Sequence, residues 1–148
     1  MGGGEPDGTA GPSSTAGPFA TADLHLTVPL ASTLGMEVVV GHTDDVRLRL
    51  PWGEDRCTAG ETLHGGVIMA LADTGGAVCA FLNLPEGSTA TTTIESKTNF
   101  FRSVRQGWTE ARSRPLHLGH STIVVETDVV DNAGRLVARV TQTQAVLR

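Results

Sequence analysis

The sequence predicts an α+β domain in which an antiparallel sheet of about six strands wraps one long central helix. Three observations carry this reading. Across Gly65–Leu82 the only carboxylate is Asp73 and apolar residues fall on every side of a helical wheel, so the helix belongs in the interior. Before it, Val46, Leu48 and Leu50 alternate with Arg47 and Arg49, the two-residue period of a half-exposed strand. After it, residues 88–101, 107–117, 121–130 and 136–147 all read as strand.

Taken in order, residues 1–22 are dominated by Gly, Pro, Ser, Thr and Ala, too little apolar surface to offset the entropy of ordering. They are expected to form a flexible tail, leaving 23–148 as one domain. A short helix or turn is expected over 28–34, a strand over 36–40, and a second strand over 46–50 that ends at Pro51. A loop, 52–63, leads into the helix, which stops before Asn83-Leu84-Pro85-Glu86-Gly87. Asp131-Asn132-Ala133-Gly134 is good hairpin chemistry between the last two strands. The chain has no internal repeat.

With 148 residues and 39% apolar composition, the chain can bury a real core within a single domain. A net charge of -5 and a pI near 5.4 argue against nucleic-acid or anionic-membrane partners held by bulk electrostatics. An anionic ligand must be met by a local cluster. Cys57 lies in the loop and Cys79 in the apolar helix, and without a secretion signal no disulfide is expected, so the setting reads as reduced and cytoplasmic. The apolar run 63–84 has the length of a membrane span, but Asp73 at its centre and its glycines favour a buried helix.

If the helix begins just after His64, the amides of Gly65 and Gly66 lack intrahelical acceptors and sit at the positive end of the macrodipole. Such an end can polarise a carbonyl and hold the oxyanion formed when a nucleophile attacks it. The same glycines also suit a tight loop-to-helix turn. Asp73 lies eight residues past Gly65, about 12 Å along the axis at 1.5 Å per residue, so one chain cannot bring both to one carbonyl. Either they serve different purposes, or Gly65 of one subunit works with Asp73 of another across a twofold axis. Asp73 shares its side of the helix with Met69, Gly76, Ala77 and Ala80, which leave room for a ligand and offer no cation. A structural bond to a nearby loop is the other reading of Asp73, as helix-start hydrogen bonding is for His64. The five histidines show no metal-ligand spacing beyond His117-x-x-His120, which in a strand-turn setting is not a ligand pair, so no metal is expected. No Gly-x-Ser-x-Gly elbow, Walker loop or dinucleotide fingerprint is present.

Four stretches together have a familiar pattern: His64-Gly65-Gly66; Leu71-Ala72-Asp73; Asn99-Phe100-Phe101-Arg102-Ser103-Val104-Arg105-Gln106-Gly107; and Asp131-Asn132-Ala133-Gly134-Arg135-Leu136-Val137-Ala138. Over residues 30–147 the chain resembles the hotdog-fold acyl-CoA thioesterases, in particular the PaaI-like branch with its phenylacetyl-CoA and 4-hydroxybenzoyl-CoA enzymes. The resemblance implies a sheet around the long helix, a homodimer whose sheets join edge to edge, a homotetramer as a dimer of dimers, and active sites between subunits. It makes Gly65 the backbone donor to the thioester carbonyl, with His64 positioning and Gly66 beside it. Asp73 of the partner becomes general base or nucleophile. Arg102, Arg105 and the turn containing His120 and Ser121 fall where such enzymes hold the CoA phosphates or pantetheine.

Thr58 stands where many members carry Asn or Gln, which leaves Thr58 itself or Thr74 to orient water. Asp73 with Ala77 is nearer the phenylacetyl-CoA type than the 4-hydroxybenzoyl-CoA enzyme, which has Glu and Thr at these positions. The implied reaction is hydrolysis of an aryl or medium-chain acyl-CoA to acid and CoA, with no cofactor because CoA is part of the substrate. A non-catalytic acyl-CoA-binding module and a hotdog enoyl hydratase or dehydratase are the alternatives.

Overall fold

The structure, a computed structural model, describes residues 17–148. Residues 1–16 of the expected tail lie outside the described residues. Two short helices, α1 (Thr21–Thr27) and α2 (Pro29–Leu34), precede strands β1 (Glu37–Gly41) and β2 (Val46–Pro51). Two-residue strands β3 (Cys57–Thr58) and β4 (Thr62–Leu63) then lead to helix α3 (Gly65–Leu82). Strands β5 (Ala90–Phe100), β6 (Trp108–Leu118), β7 (Thr122–Asp131) and β8 (Leu136–Leu147) complete the chain.

The six longer strands form one antiparallel sheet in the order β1-β2-β6-β7-β8-β5, and α3 lies against its inner face. The alternation expected for β2 holds: Val46, Leu48 and Leu50 are fully buried while Arg47 and Arg49 point away from the core. On that outer face Arg49 covers the Trp108 ring at 3.8 Å and pairs with Glu110 at 2.7 Å, which Arg112 also holds at 2.9 Å. Inside, Leu71, Ala72 and Cys79 of α3 pack with Ile123, Val125 and Val140 of the sheet. Long and apolar enough by length and composition to cross a membrane, α3 instead has the sheet as its partner.

Two departures from expectation matter for the site. Residues 17–22, assigned to the tail, carry structure: α1 begins at Thr21, whose Oγ1 accepts the Val38 amide at 2.8 Å. Phe19 packs against the core, and its carbonyl comes so close to Gly41 that a Cβ there would lie 2.3 Å from the oxygen. The anchors are single residues in a small-residue context, which composition averages away. The second departure is a bulge in β5: Thr93 pairs with Gln144 and Glu95 with Thr143, so Ile94 is passed over. The bulge switches the side of the sheet that successive residues face, so Thr93 before it and Phe100 after it both meet α3.

Candidate active site

The start of α3 is capped by its own preceding residue. His64 has extended backbone (φ -63°, ψ 134°), and its Nδ1 accepts the Gly66 amide at 2.8 Å. The His64 carbonyl accepts from Val67 at 3.0 Å and Ile68 at 3.2 Å. Of the two glycine amides expected to be open, that of Gly66 is therefore used inside the cap. Gly65 has no acceptor for its amide among the described residues. The Phe100 ring lies over it, close enough that a Cβ at position 65 would stand 3.3 Å from the ring. A free N–H at the positive end of an 18-residue helix is a ready donor for a developing oxyanion.

Asp73 is half-buried two turns further on, and among the described residues no cation supplies the charge partner it lacks on its own helix. Neutral donors meet it. Thr93 Oγ1 donates to Asp73 Oδ1 at 2.9 Å, and Gln142 Nε2 approaches the same oxygen and the Asp73 carbonyl, each at 3.4 Å. Gln144 Nε2 donates to Thr93 Oγ1 at 2.7 Å, and Thr91 Oγ1 donates to Gln144 Oε1 at 2.5 Å. Gln142 and Gln144 are buried on the inner face of β8, at 1% and 0% exposure, where an amide without partners would be costly. Gly76 makes room for the first of them: a Cβ there would lie 2.3 Å from Gln142 Oε1.

Beside Asp73 opens a cavity of about 370 Å³, within the lower part of the usual range of about 300–1,000 Å³ for small-molecule sites. Its wall is mostly apolar, with Phe19 and Val28 from the N-terminal segment facing Ala77, Val78 and Phe81 of α3, and Thr91 at the end of β5. Thr74 also lines it, but its hydroxyl donates to the Ala70 carbonyl at 2.7 Å within the helix. Thr58 is exposed on the short β3–β4 hairpin. Cys79 is no nucleophile: burial first, and then the charges of Asp44 and Asp45, push its thiol up to about 12, so it stays protonated.

Arg102 and Arg105 are exposed on the segment after β5, at the same end of the sheet as Gly65, and neither pairs with a carboxylate among the described residues. Arg105 Nη1 donates to the Gly60 carbonyl at 3.3 Å. His120 and Ser121 are in the β6–β7 turn at the far end, where Arg148 contacts the His120 ring at 2.7 Å. The 11 residues of β6 separate the two groups by about 35 Å, so one protomer does not bring them together. Among the described residues no cluster of three His, Cys, Asp or Glu side chains could hold a metal.

Sequence reasoning missed Thr93, Gln142, Gln144 and the Phe19 wall. For the glutamines a signal exists: Val140, Gln142, Gln144 and Val146 share one face of β8, and two amides on a core-facing stripe call for a polar client inside.

Comparison with known proteins adds the family. Residues 60–138 match the model of the thioesterase superfamily. The chain is 33% identical over 103 residues to the 1,4-dihydroxy-2-naphthoyl-CoA hydrolase of Escherichia coli, covering 70% of this chain and 69% of that one. It is 33% identical over 91 residues to the proofreading thioesterase EntH of Cronobacter sakazakii, covering 62% and 60%. Among solved structures, a thioesterase from Haemophilus influenzae superposes with a TM-score of 0.81 at 27% identity, covering 90% of this chain and 94% of that one. The sheet curled around one helix thus has its counterpart among known thioesterases in sequence as well as shape. The chain belongs to the thioesterase superfamily and is a thioester hydrolase with the hotdog fold.

Proposed function

We propose that the protein hydrolyses an aryl acyl-CoA, phenylacetyl- or hydroxybenzoyl-like, or a medium-chain one, at sites shared between two protomers. The Gly65 amide polarises the thioester carbonyl. Asp73 of the partner acts as general base on water or as nucleophile on the carbonyl carbon; either route adds one water, breaks the C–S bond and releases acid and CoA thiol. These groups and water suffice, and the reaction calls for no cofactor. The observation that carries the reading is the pairing of a free Gly65 amide with a carboxylate that opens onto an apolar cavity, about 12 Å further along the same helix.

Twofold association is supported by β5. It is the outermost strand on its side of the sheet, 11 residues long, with Ile94 61% and Phe100 48% exposed. Such an edge invites pairing, and an isologous contact across it runs the two α3 helices antiparallel, turning the start of one toward the middle of the other. A dimer of such dimers would bring Arg102 and Arg105 of one chain near His120 and Ser121 of another, around the CoA phosphates. An aromatic acyl group suits the Phe19 and Phe81 rings, and the Escherichia coli relative is named for an aromatic acyl-CoA.

The test is thiol release from phenylacetyl-, hydroxybenzoyl- and medium-chain acyl-CoAs. Asp73→Asn is expected to lower kcat by at least about a hundredfold. No thiol release by the wild type, or an unchanged rate in Asp73→Asn, contradicts the reading.

A further inference from the structure

We infer that Gln144 is a positioning residue for hydrolysis: it orders a one-way chain of hydrogen bonds that aims the Thr93 hydroxyl at Asp73 and leaves one carboxylate oxygen free to react. This rests on Asp73 being the catalytic carboxylate.

The direction of the chain follows from what each group can give. A carboxylate only accepts, so Thr93 Oγ1, 2.9 Å from Asp73 Oδ1, must spend its single proton there. Its lone pairs then require a donor, and the donor is Gln144 Nε2 at 2.7 Å. That fixes the Gln144 amide with its oxygen on the other side, where Thr91 Oγ1 donates to it. Thr91, Gln144 and Thr93 therefore donate in sequence toward the Asp73 carboxylate. An inverted Gln144 amide would turn its oxygen toward Thr93, and the hydroxyl proton would be drawn away from Asp73.

Gln142 reinforces the arrangement from the other strand position. Both atoms near its Nε2, the Asp73 carbonyl and Oδ1, are acceptors, so its amide cannot invert without setting oxygen against oxygen. Its own Oε1 is buried without a hydrogen-bond partner, against the Cα of Gly76. A buried amide left half-satisfied is unfavourable, and packing alone would fill this place better with an apolar side chain. Both donors converge on Oδ1, and among the described residues none meets Oδ2. Oδ2 is the oxygen left to take a proton from water or attack the thioester. The bulge at Ile94 is what turns Thr93 into this chain.

The test is a double-mutant cycle with two readouts: kcat and KM on the best acyl-CoA of the panel, and the ¹³C carboxyl resonance of Asp73, assigned by its loss in Asp73→Asn. Thr93→Val and Gln144→Met should each lower kcat by between about tenfold and a hundredfold with KM within about twofold, because a misaimed carboxylate binds substrate as before. Thr93→Ser should keep most of the activity. The double variant should be no worse than Thr93→Val alone, since Gln144 acts through that hydroxyl, and both single variants should shift the Asp73 resonance in the same direction. Gly76→Ala is the second probe: it leaves every member of the chain in place but pushes the Gln142 amide off Asp73, and should lower kcat with little change in KM. Single-variant effects that multiply in the double variant, an unmoved resonance in Gln144→Met, or a moved resonance with an unchanged rate would each overturn the proposal. A wild-type rate in Asp73→Asn would instead overturn the functional reading on which it rests.

Discussion

Two stretches of α3 are built in opposite ways. At His64–Gly66 the groups that shape the site are neighbours in sequence: the imidazole caps Gly66, and backbone geometry alone leaves the Gly65 amide open. At Asp73 and Gly76 the carboxylate is met by side chains 20 and 69 positions away, brought in by β5 and β8. The first stretch should tolerate most changes that keep an N–H at position 65. The second should be sensitive to the sheet's inner face, including residues that never touch substrate.

The largest effect separates the N–H from the fold at the first stretch. Gly65→Pro places proline at the first helical position, where it is well tolerated, after a residue whose ψ of 134° already suits it. It deletes the amide proton, and kcat should drop by about 10²–10³ with the circular dichroism spectrum unchanged. A near wild-type rate would remove Gly65 from the mechanism. Next comes Gly75→Ala, one residue from Gly76 but facing a different neighbour. Its Cβ would lie 2.9 Å from Ser113 Oγ, which is buried and bonded to Thr127 at 2.8 Å, so overpacking should cost about 1–3 kcal/mol in urea unfolding while the folded fraction keeps its kcat. Position 75 should thus fail in stability with its kcat kept, whereas position 76, where a Cβ would lie 2.3 Å from the buried Gln142 Oε1, should lose rate as well as stability. Smaller again, His64→Ala should cost about 1 kcal/mol through the lost cap.

The smallest effect contrasts Asp73 with a second carboxylate that does have a cation. Asp131 is buried, which by itself would raise its pKa, but the Arg135 and Ala133 amides and the Arg135 guanidinium outweigh burial and hold it below the usual carboxylate range. Its folded-state pKa thus lies below its unfolded one. The stabilisation is therefore complete above about pH 4 and is lost as pH falls through the folded value. The stability difference between wild type and Asp131→Asn should shrink as pH is lowered below about 4. A difference that stays constant would contradict the assignment.

The same contrast explains what the sequence made legible. The six long strands and the buried helix were readable because each rests on local periodicity, as with Val46–Leu50, whereas α1 and the β3–β4 hairpin are short segments among small and polar residues, and the Gly66 amide expected to be open is taken by the His64 ring. Asp73 stood out as the one carboxylate on an apolar helix. Its partners did not, because Thr93 is aimed by a bulge that no local pattern marks, and Gln142 and Gln144 matter only once β8 is laid beside β5. Phe19 and Thr21 were hidden by the small residues around them, although Phe19 together with Leu24 and Val28 packs the N-terminal segment against the core.

The most direct measurement is subunit complementation between two inactive variants. Asp73→Asn retains the Gly65 amide, and Gly65→Pro retains the carboxylate. Co-refolded in equal amounts, they should form heterodimers in which one of the two sites has both groups intact. With random pairing half the dimers are mixed, so activity should return to about a quarter of the wild-type rate. Activity that stays at the level of the two parents would mean that Gly65 and Asp73 do not act on one carbonyl from two chains.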